Sequence, residues 1–122
     1  FKARYFKDGT ALAGAYTVVA ADHGCMLTAV TAAMNFTLPD LATVGRGFQV
    51  FIYNAVDANL VVTGAANTIV SGDAGGAKST TLTFSTANAK MGAQALMYAD
   101  YDGPAGALSW YASMVNRTVT TA

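Results

Sequence analysis

The sequence predicts an all-β domain: a compact β-sandwich or jelly-roll-like barrel with an N-terminal arm. Three observations predict it. From Met34 to Val70 apolar and polar residues alternate in short runs, which is the period of a half-buried strand. Gly, Pro, Asn and Asp break those runs, and turn signals recur along the chain at the roughly 8–12 residue spacing of sandwiches and barrels. All seven acidic residues are Asp and only 11% of residues are charged, under half the usual share of about 25%. Few long charged side chains are available to solvate helix faces, so helices are disfavoured.

A chain of 122 residues is expected to form one domain. A domain of this size buries about two thirds of the surface its unfolded chain exposes. The expected boundaries are an arm over residues 1–15 and a single β domain over residues 16–122.

The elements follow in order. Phe1-Lys-Ala-Arg-Tyr-Phe-Lys7 is aromatic and basic, Asp8-Gly9 is a turn signal, and small residues follow. This segment reads as an arm that anchors on a partner, or as the first strand of the domain. Tyr16 to Ala20 is a strand, Asp22-His23-Gly24 a turn, and Cys25 to Thr28 a second strand. Val30 to Met34 begins the next strand or forms a loop. Phe36 to Leu38 is a strand ended by Pro39, which has no N–H to continue a ladder. Pro39 to Val44 has room for one helical turn.

Gly45-Arg46-Gly47 turns the chain into Phe48 to Asn54, the strongest strand. Phe48, Val50 and Ile52 share one of its faces; Gln49, Phe51 and Tyr53 share the other. Leu60 to Thr63 and Asn67 to Val70 come next. Ser71 to Lys78 is a loop by composition, and Ser79 to Phe84 has strand propensity. Gln94 to Tyr98 is a strand, with a helix left open by its alanines. Asp100 to Gly106 is a hairpin-type loop. Leu108 to Ser113 and Arg117 to Thr120 close the domain. The expected core is Phe36, Leu38, Phe48, Val50, Ile52, Leu60, Val62, Ile69, Leu82, Phe84, Leu96 and Trp110.

Composition also narrows function. The formal net charge is +0 and the pI about 6.7, against non-specific nucleic-acid binding, which needs a basic surface. No run approaches the roughly 18 apolar residues of a membrane span. Phe1 to Val19 carries charges and no compact apolar segment, so no secretory leader is expected within it. Cys25 is the single cysteine and cannot form an internal disulfide. The sparse charge suggests that partner chains cover part of the surface.

The candidate chemistry is thin. His23 and Cys25 stand two apart, the spacing that puts both on one face of a strand, and a Cys–His pair can make a thiolate nucleophile. The plainer reading is a turn histidine before a small buried cysteine. Asp73, Asp100 and Asp102 are oxygen ligands for a hard cation, or aspartates that favour turns. A calcium loop requires a downstream Glu, which the chain lacks. Gly72 to Ala77 lacks the Gly-Lys-Ser/Thr ending of a phosphate loop. Asn35-Phe-Thr37 and Asn116-Arg-Thr118 match the glycosylation triplet, which matters only in a secretory setting. Tyr98, Tyr101, Trp110 and Tyr111 form an aromatic platform for sugars, or else core and interface. No catalytic residue, cofactor or metal is expected.

Tyr16-Thr-Val-Val-Ala-Ala-Asp22-His-Gly24, Phe36-Thr-Leu-Pro39, Gly47-Phe-Gln-Val-Phe-Ile52, Asn59-Leu-Val-Val62, Asn67-Thr-Ile69 and the run from Gly103 to Trp110-Tyr111 occur in a telling order. That order resembles the β-rich decoration, or cement, proteins of tailed-phage capsids and the related head-fibre and tail-fibre modules. The resemblance covers Tyr16 to Tyr111. Ser71 to Lys78 and Ala87 to Ala95 fall outside its pattern. It implies a compact β domain, commonly trimeric, on the outer surface of an icosahedral shell, and no catalytic residues.

The expected function is therefore a structural virion protein that binds the capsid exterior and bridges major capsid subunits. Its expected partners are the major capsid protein and copies of itself, as a homotrimer, with no nucleic acid and no membrane. Capsid contact is expected at Phe1, Lys2, Arg4, Tyr5, Phe6 and Lys7, and subunit contact at Phe51 and Tyr53. The alternatives are a fibre or tail module that binds a receptor, or a subunit of a bacterial extracellular filament.

Overall fold

The computed structural model describes residues 6–8, 14–30, 33–71, 78–85, 90–102, 106–113 and 120–122. The strands are β1 (Phe6–Asp8), β2 (Ala15–Thr17), β3 (Met26–Ala29), β4 (Met34–Thr37), β5 (Gln49–Asn54) and β6 (Leu60–Thr63). They continue with β7 (Ile69–Val70), β8 (Lys78–Ser79), β9 (Thr81–Phe84), β10 (Gln94–Tyr101), β11 (Leu108–Ser113) and β12 (Thr120–Thr121). One helical turn, α1 (Leu41–Val44), follows Pro39, where the sequence has room for it. Gly45 ends it at φ 76°, donating its N–H to the Leu41 carbonyl at 2.8 Å.

The strands form a seven-stranded sheet, ordered β1-β3-β5-β10-β11-β7-β8, and a five-stranded sheet, ordered β12-β9-β6-β4-β2. Their facing sides share one buried apolar cluster, so the domain is a β-sandwich.

The first six strands alternate between the sheets. β1, β3 and β5 lie parallel in one; β2, β4 and β6 lie parallel in the other. Parallel neighbours need a crossover rather than a tight hairpin. Here the crossover is a strand of the opposite sheet. Antiparallel pairing enters with the β10–β11 hairpin and the β6–β9 pair. The hairpin loop closes through the Asp102 N–H on the Ala107 carbonyl at 2.9 Å. A Cβ on Gly106 would lie 1.6 Å from the Asp102 carbonyl oxygen, so this position takes only glycine.

β1 bears on the two readings of residues 1–15. The Phe6–Asp8 backbone pairs in parallel with Met26–Thr28 at the edge of the larger sheet, which is the first-strand reading. Phe1 to Tyr5 and residues 9–13 lie outside the described residues. So do residues 114–119, which hold most of the last expected strand.

Eleven of the twelve expected core residues are buried; Leu96 is the exception and is corrected here. Along β10 burial alternates, with Ala95, Met97 and Ala99 inward and Leu96 half-buried on the outer side. The inward side of β10 is small because Trp110, opposite Ala99, fills the space. Trp110 is fully buried and packs edge-on against Phe48, with ring centroids 5.8 Å apart. The expected strand Ser79 to Phe84 is two strands, broken at Thr80, where the chain crosses from the larger sheet to the smaller.

Two buried polar side chains fasten the loops. The Asp22 carboxylate accepts from the Tyr16 hydroxyl at 2.6 Å and the Val19 N–H at 3.0 Å. It thereby bends the chain after β2 into a 3-10 turn over Ala20–Asp22. Asn54, at the end of β5, donates to the Ala58 carbonyl at 2.7 Å and the Lys90 carbonyl at 3.0 Å, and accepts from the Val56 N–H. Asn54→Ala takes the amide from those part-buried groups and should cost about 1–3 kcal/mol in urea unfolding. Asn54→Asp, which removes the donors and adds a charge, should cost more. Equal stability of all three proteins would show that the bridge does not matter.

Candidate interaction surface

Residues paired across neighbouring strands point to the same side of a sheet, so the register defines what the outer side of the larger sheet presents. One row runs Met26, Phe51, Leu96, Ser113. The next runs Gln49, Tyr98, Tyr111, Val70, Lys78. A third holds Thr28, Tyr53 and Gln94. In these rows the one charged side chain is Lys78, at the far edge, and the same register puts Asp100, opposite Ser109, at the end of β10. Tyr98 and Tyr111 stack with centroids 5.5 Å apart and planes 20° from parallel. Phe51 is only 6% exposed despite lying on the outer side.

The outer side of the smaller sheet is different. Thr17, Thr37, Thr63 and Thr81 form one row across four strands, and Ala15, Asn35, Val61 and Thr83 form the next. The Thr63 hydroxyl donates to Asn35 Oδ1 at 2.9 Å. Hydroxyls are satisfied by water. A side rich in Tyr, Met, Phe and Leu with almost no charge has the composition of an interface centre.

Phe51 and Tyr53, the expected subunit contacts, both lie on this aromatic side. Tyr98 and Tyr111, expected as a sugar platform or else as core and interface, lie here too; sequence reasoning missed Met26, and placed Leu96 in the core. The signal was present: Gln94, Leu96 and Tyr98 share parity along β10, as Tyr111 and Ser113 do along β11. Of the expected capsid contacts, Phe1, Lys2, Arg4 and Tyr5 lie outside the described residues. Phe6 and Lys7 are described by backbone alone, paired with Met26 and Leu27.

The remaining candidates separate. His23 Nδ1 accepts from the Gln49 N–H at 3.2 Å, and the Cys25 thiol lies fully buried, 3.5 Å from the Met26 carbonyl. Trp110 belongs to the core, so of the four platform aromatics only Tyr98 and Tyr111 stack together. Tyr101, at the strand end, is 52% exposed. Asp73 lies outside the described residues. Asp100 accepts from Arg46 Nε at 2.7 Å and Asp102 faces Lys78 Nζ at 2.5 Å, so each carboxylate has its own cation. Among the described residues no group of three or more His, Cys, Asp or Glu side chains is placed to hold a metal ion.

Asp100 carries a legible titration. The Tyr101 N–H, 2.7 Å from Oδ1, holds the carboxyl below the ordinary aspartate range, and the Arg46 side chain adds a smaller push in the same direction. Because the folded value is the lower one, the stabilisation is present above the unfolded value and is lost as pH falls through the folded one. Carboxyl-carbon NMR should show Asp100 titrating below ordinary aspartates. Arg46→Ala should raise its midpoint only part of the way back, since the Tyr101 N–H remains. Full return to the ordinary range would show that Arg46, not the backbone, sets it.

Comparison of the chain with family models, with curated proteins and with solved structures finds no match. What the fold and surface define is a class: a β-sandwich with one hydroxyl-rich side and one aromatic, nearly uncharged side.

Proposed function

We propose that this chain is a structural virion protein that binds the outside of an icosahedral phage capsid and stabilises it by bridging neighbouring major capsid subunits. It acts by binding and not by catalysis. Copies of the chain associate, as a homotrimer, through the aromatic side of the larger sheet. The observation that carries the reading is that side, where Met26, Phe51, Leu96, Tyr98 and Tyr111 lie together, with the charged side chains Lys78 and Asp100 at its margins. The order of strand and turn segments from Tyr16 to Tyr111, which resembles capsid decoration proteins, supports the setting. The trimeric state comes from that resemblance.

The mechanism follows from surface burial. A shell under internal pressure fails where capsomers separate. A bridge across such a seam adds buried area, about 1,200–2,000 Å² for an ordinary specific interface, and symmetry repeats it over the shell. The basic aromatic residues Phe1–Tyr5, ahead of β1, supply the capsid-facing anchor, since aromatics and Arg often dominate interface energy.

The test is sedimentation of purified protein with capsids of the parent particle that lack it. The protein should move with the shells and raise the temperature at which they open. Protein that stays at the top of the gradient, or leaves that temperature unchanged, overturns the proposal. Recovery on a detached fibre or an extracellular filament would favour those assemblies instead.

A further inference from the structure

The two ends of the sandwich differ. β1, β3 and β5 lie parallel, so all three begin at the same end. β10 runs against β5 and finishes there, at Tyr101. Two loops are tied in at that end: the Gly47 N–H donates to the Ala99 carbonyl at 2.8 Å, and the Gly24 N–H to the Gln49 carbonyl at 2.8 Å. We infer, on the capsid reading proposed above, that this end of the domain sits on the shell, with Val19 and Tyr101 as its contact residues.

Three observations converge on it. The first is where the chain enters. Phe6 opens β1 here, opposite Met26, so the anchor residues Phe1–Tyr5 are joined to the domain at this end. An anchor bound to the shell holds the end it is joined to at high local concentration beside the shell. The second is exposed apolar surface. Val19, Met91 and Tyr101 are the exposed large apolar side chains among the described residues. Val19 precedes the turn over Ala20–Asp22 and Tyr101 closes β10, so two of the three lie at this end, while Met91, before β10, lies at the other.

The third is a cleft of about 310 Å³ beside Phe48, whose apolar walls are Ala20, Val44 and Phe48. Ala20 adjoins Val19. Arg46, which also lines the cleft, lies over the Tyr101 ring, 5.3 Å from its centre. The cleft thus joins the two exposed side chains into one surface with room for an apolar side chain of the capsid. The charges beside Tyr101 are already paired, Arg46 with Asp100 and Lys78 with Asp102, so what this surface offers is apolar and aromatic contact. A ring already held under Arg46 loses less freedom when it is buried, and tyrosine is among the residues that most often carry interface energy.

The test adds variants to sedimentation with capsids that lack the chain. Tyr101→Ser, and Val19→Asp as a second variant, should each bind shells at least tenfold more weakly. Met91→Ser, at the opposite end, should bind as the unaltered chain does. All three should keep its far-UV spectrum and its mass in light scattering. A polymer-linked maleimide gives a readout that does not depend on those substitutions, because the native Cys25 thiol is buried. Attached at Ala66→Cys, in the loop from β6 into β7 at the shell end, it should block binding. Attached at Asp57→Cys, in the loop from β5 into β6 at the far end, it should not. Unchanged affinity in both contact variants, binding that survives the polymer at Ala66→Cys, or equal blocking at both ends overturns the inference and leaves the capsid reading in place. Failure of the unaltered chain to bind shells removes both.

Discussion

Trp110→Ala should lower the thermal midpoint of the domain by about 10 °C or more. Trp110 is fully buried at the centre of the sandwich. Its neighbour across the hairpin is Ala99, too small to fill the space it would vacate. Phe48 would lose the ring it packs against edge-on. Truncations of this kind cost about 3–5 kcal/mol, a large part of the roughly 5–15 kcal/mol that holds a domain of ordinary stability. For a domain of this length each kcal/mol moves the midpoint by about 3–5 °C. Trp110→Phe keeps a ring in the site and should lose less than half as much. Far-UV circular dichroism on heating reads both variants. Similar melting of Trp110→Ala and wild type would mean that the two sheets do not share the core described.

Leu96→Lys should break self-association and leave the fold intact. Leu96 lies between Phe51 and Ser113 in the central row of the aromatic side. An ammonium placed there must be desolvated, and its register neighbours Phe51 and Ser113 give it no acidic partner, while Asp100, at the end of that side, pairs with Arg46. Disruption of a central interface residue costs about 2 kcal/mol or more, roughly a 30-fold rise in dissociation constant. Thr37→Lys, on the exposed hydroxyl row of the other sheet, is the control and should change nothing. Light scattering of the three proteins at matched concentration measures this. A monomeric wild type, or a Leu96→Lys protein that still associates, would remove the aromatic side as the subunit contact.

The fold class was legible because alternation and turn residues are local signals. β5, β6 and β11 stand close to where the period of two put them. α1 was legible from the short run after Pro39. The pairing was not. Nothing in the sequence of β2 shows that its neighbour is β4, since parallel partners are joined through a strand of the other sheet. The break at Thr80 was hidden because Ser79-Thr-Thr-Leu-Thr-Phe84 has uniform strand propensity on both sides of it. Leu96 was misread by its type: apolar character predicted the core, whereas parity with Ala95, Met97 and Ala99 places it outside.

The candidate surface was half legible for the same reason. Phe51 and Tyr53 stood out because β5 carries aromatics on both faces. Tyr98 and Tyr111 are thirteen residues apart, and only the hairpin register brings their rings together. The cleft beside Phe48 was invisible. Its lining comes from the 3-10 turn, α1 and the loop into β5, and no motif links them. Arg46 and Asp100 are likewise distant in sequence and meet only once β5 and β10 are side by side.

The most direct test of the central claim is image reconstruction of the parent particle, with and without this chain. The proposal predicts symmetric protrusions on the outside of the capsid, each with the volume of three copies, that vanish when the chain is absent. Protrusions missing from the shell, or the chain located in a thin fibre or tail, would contradict it.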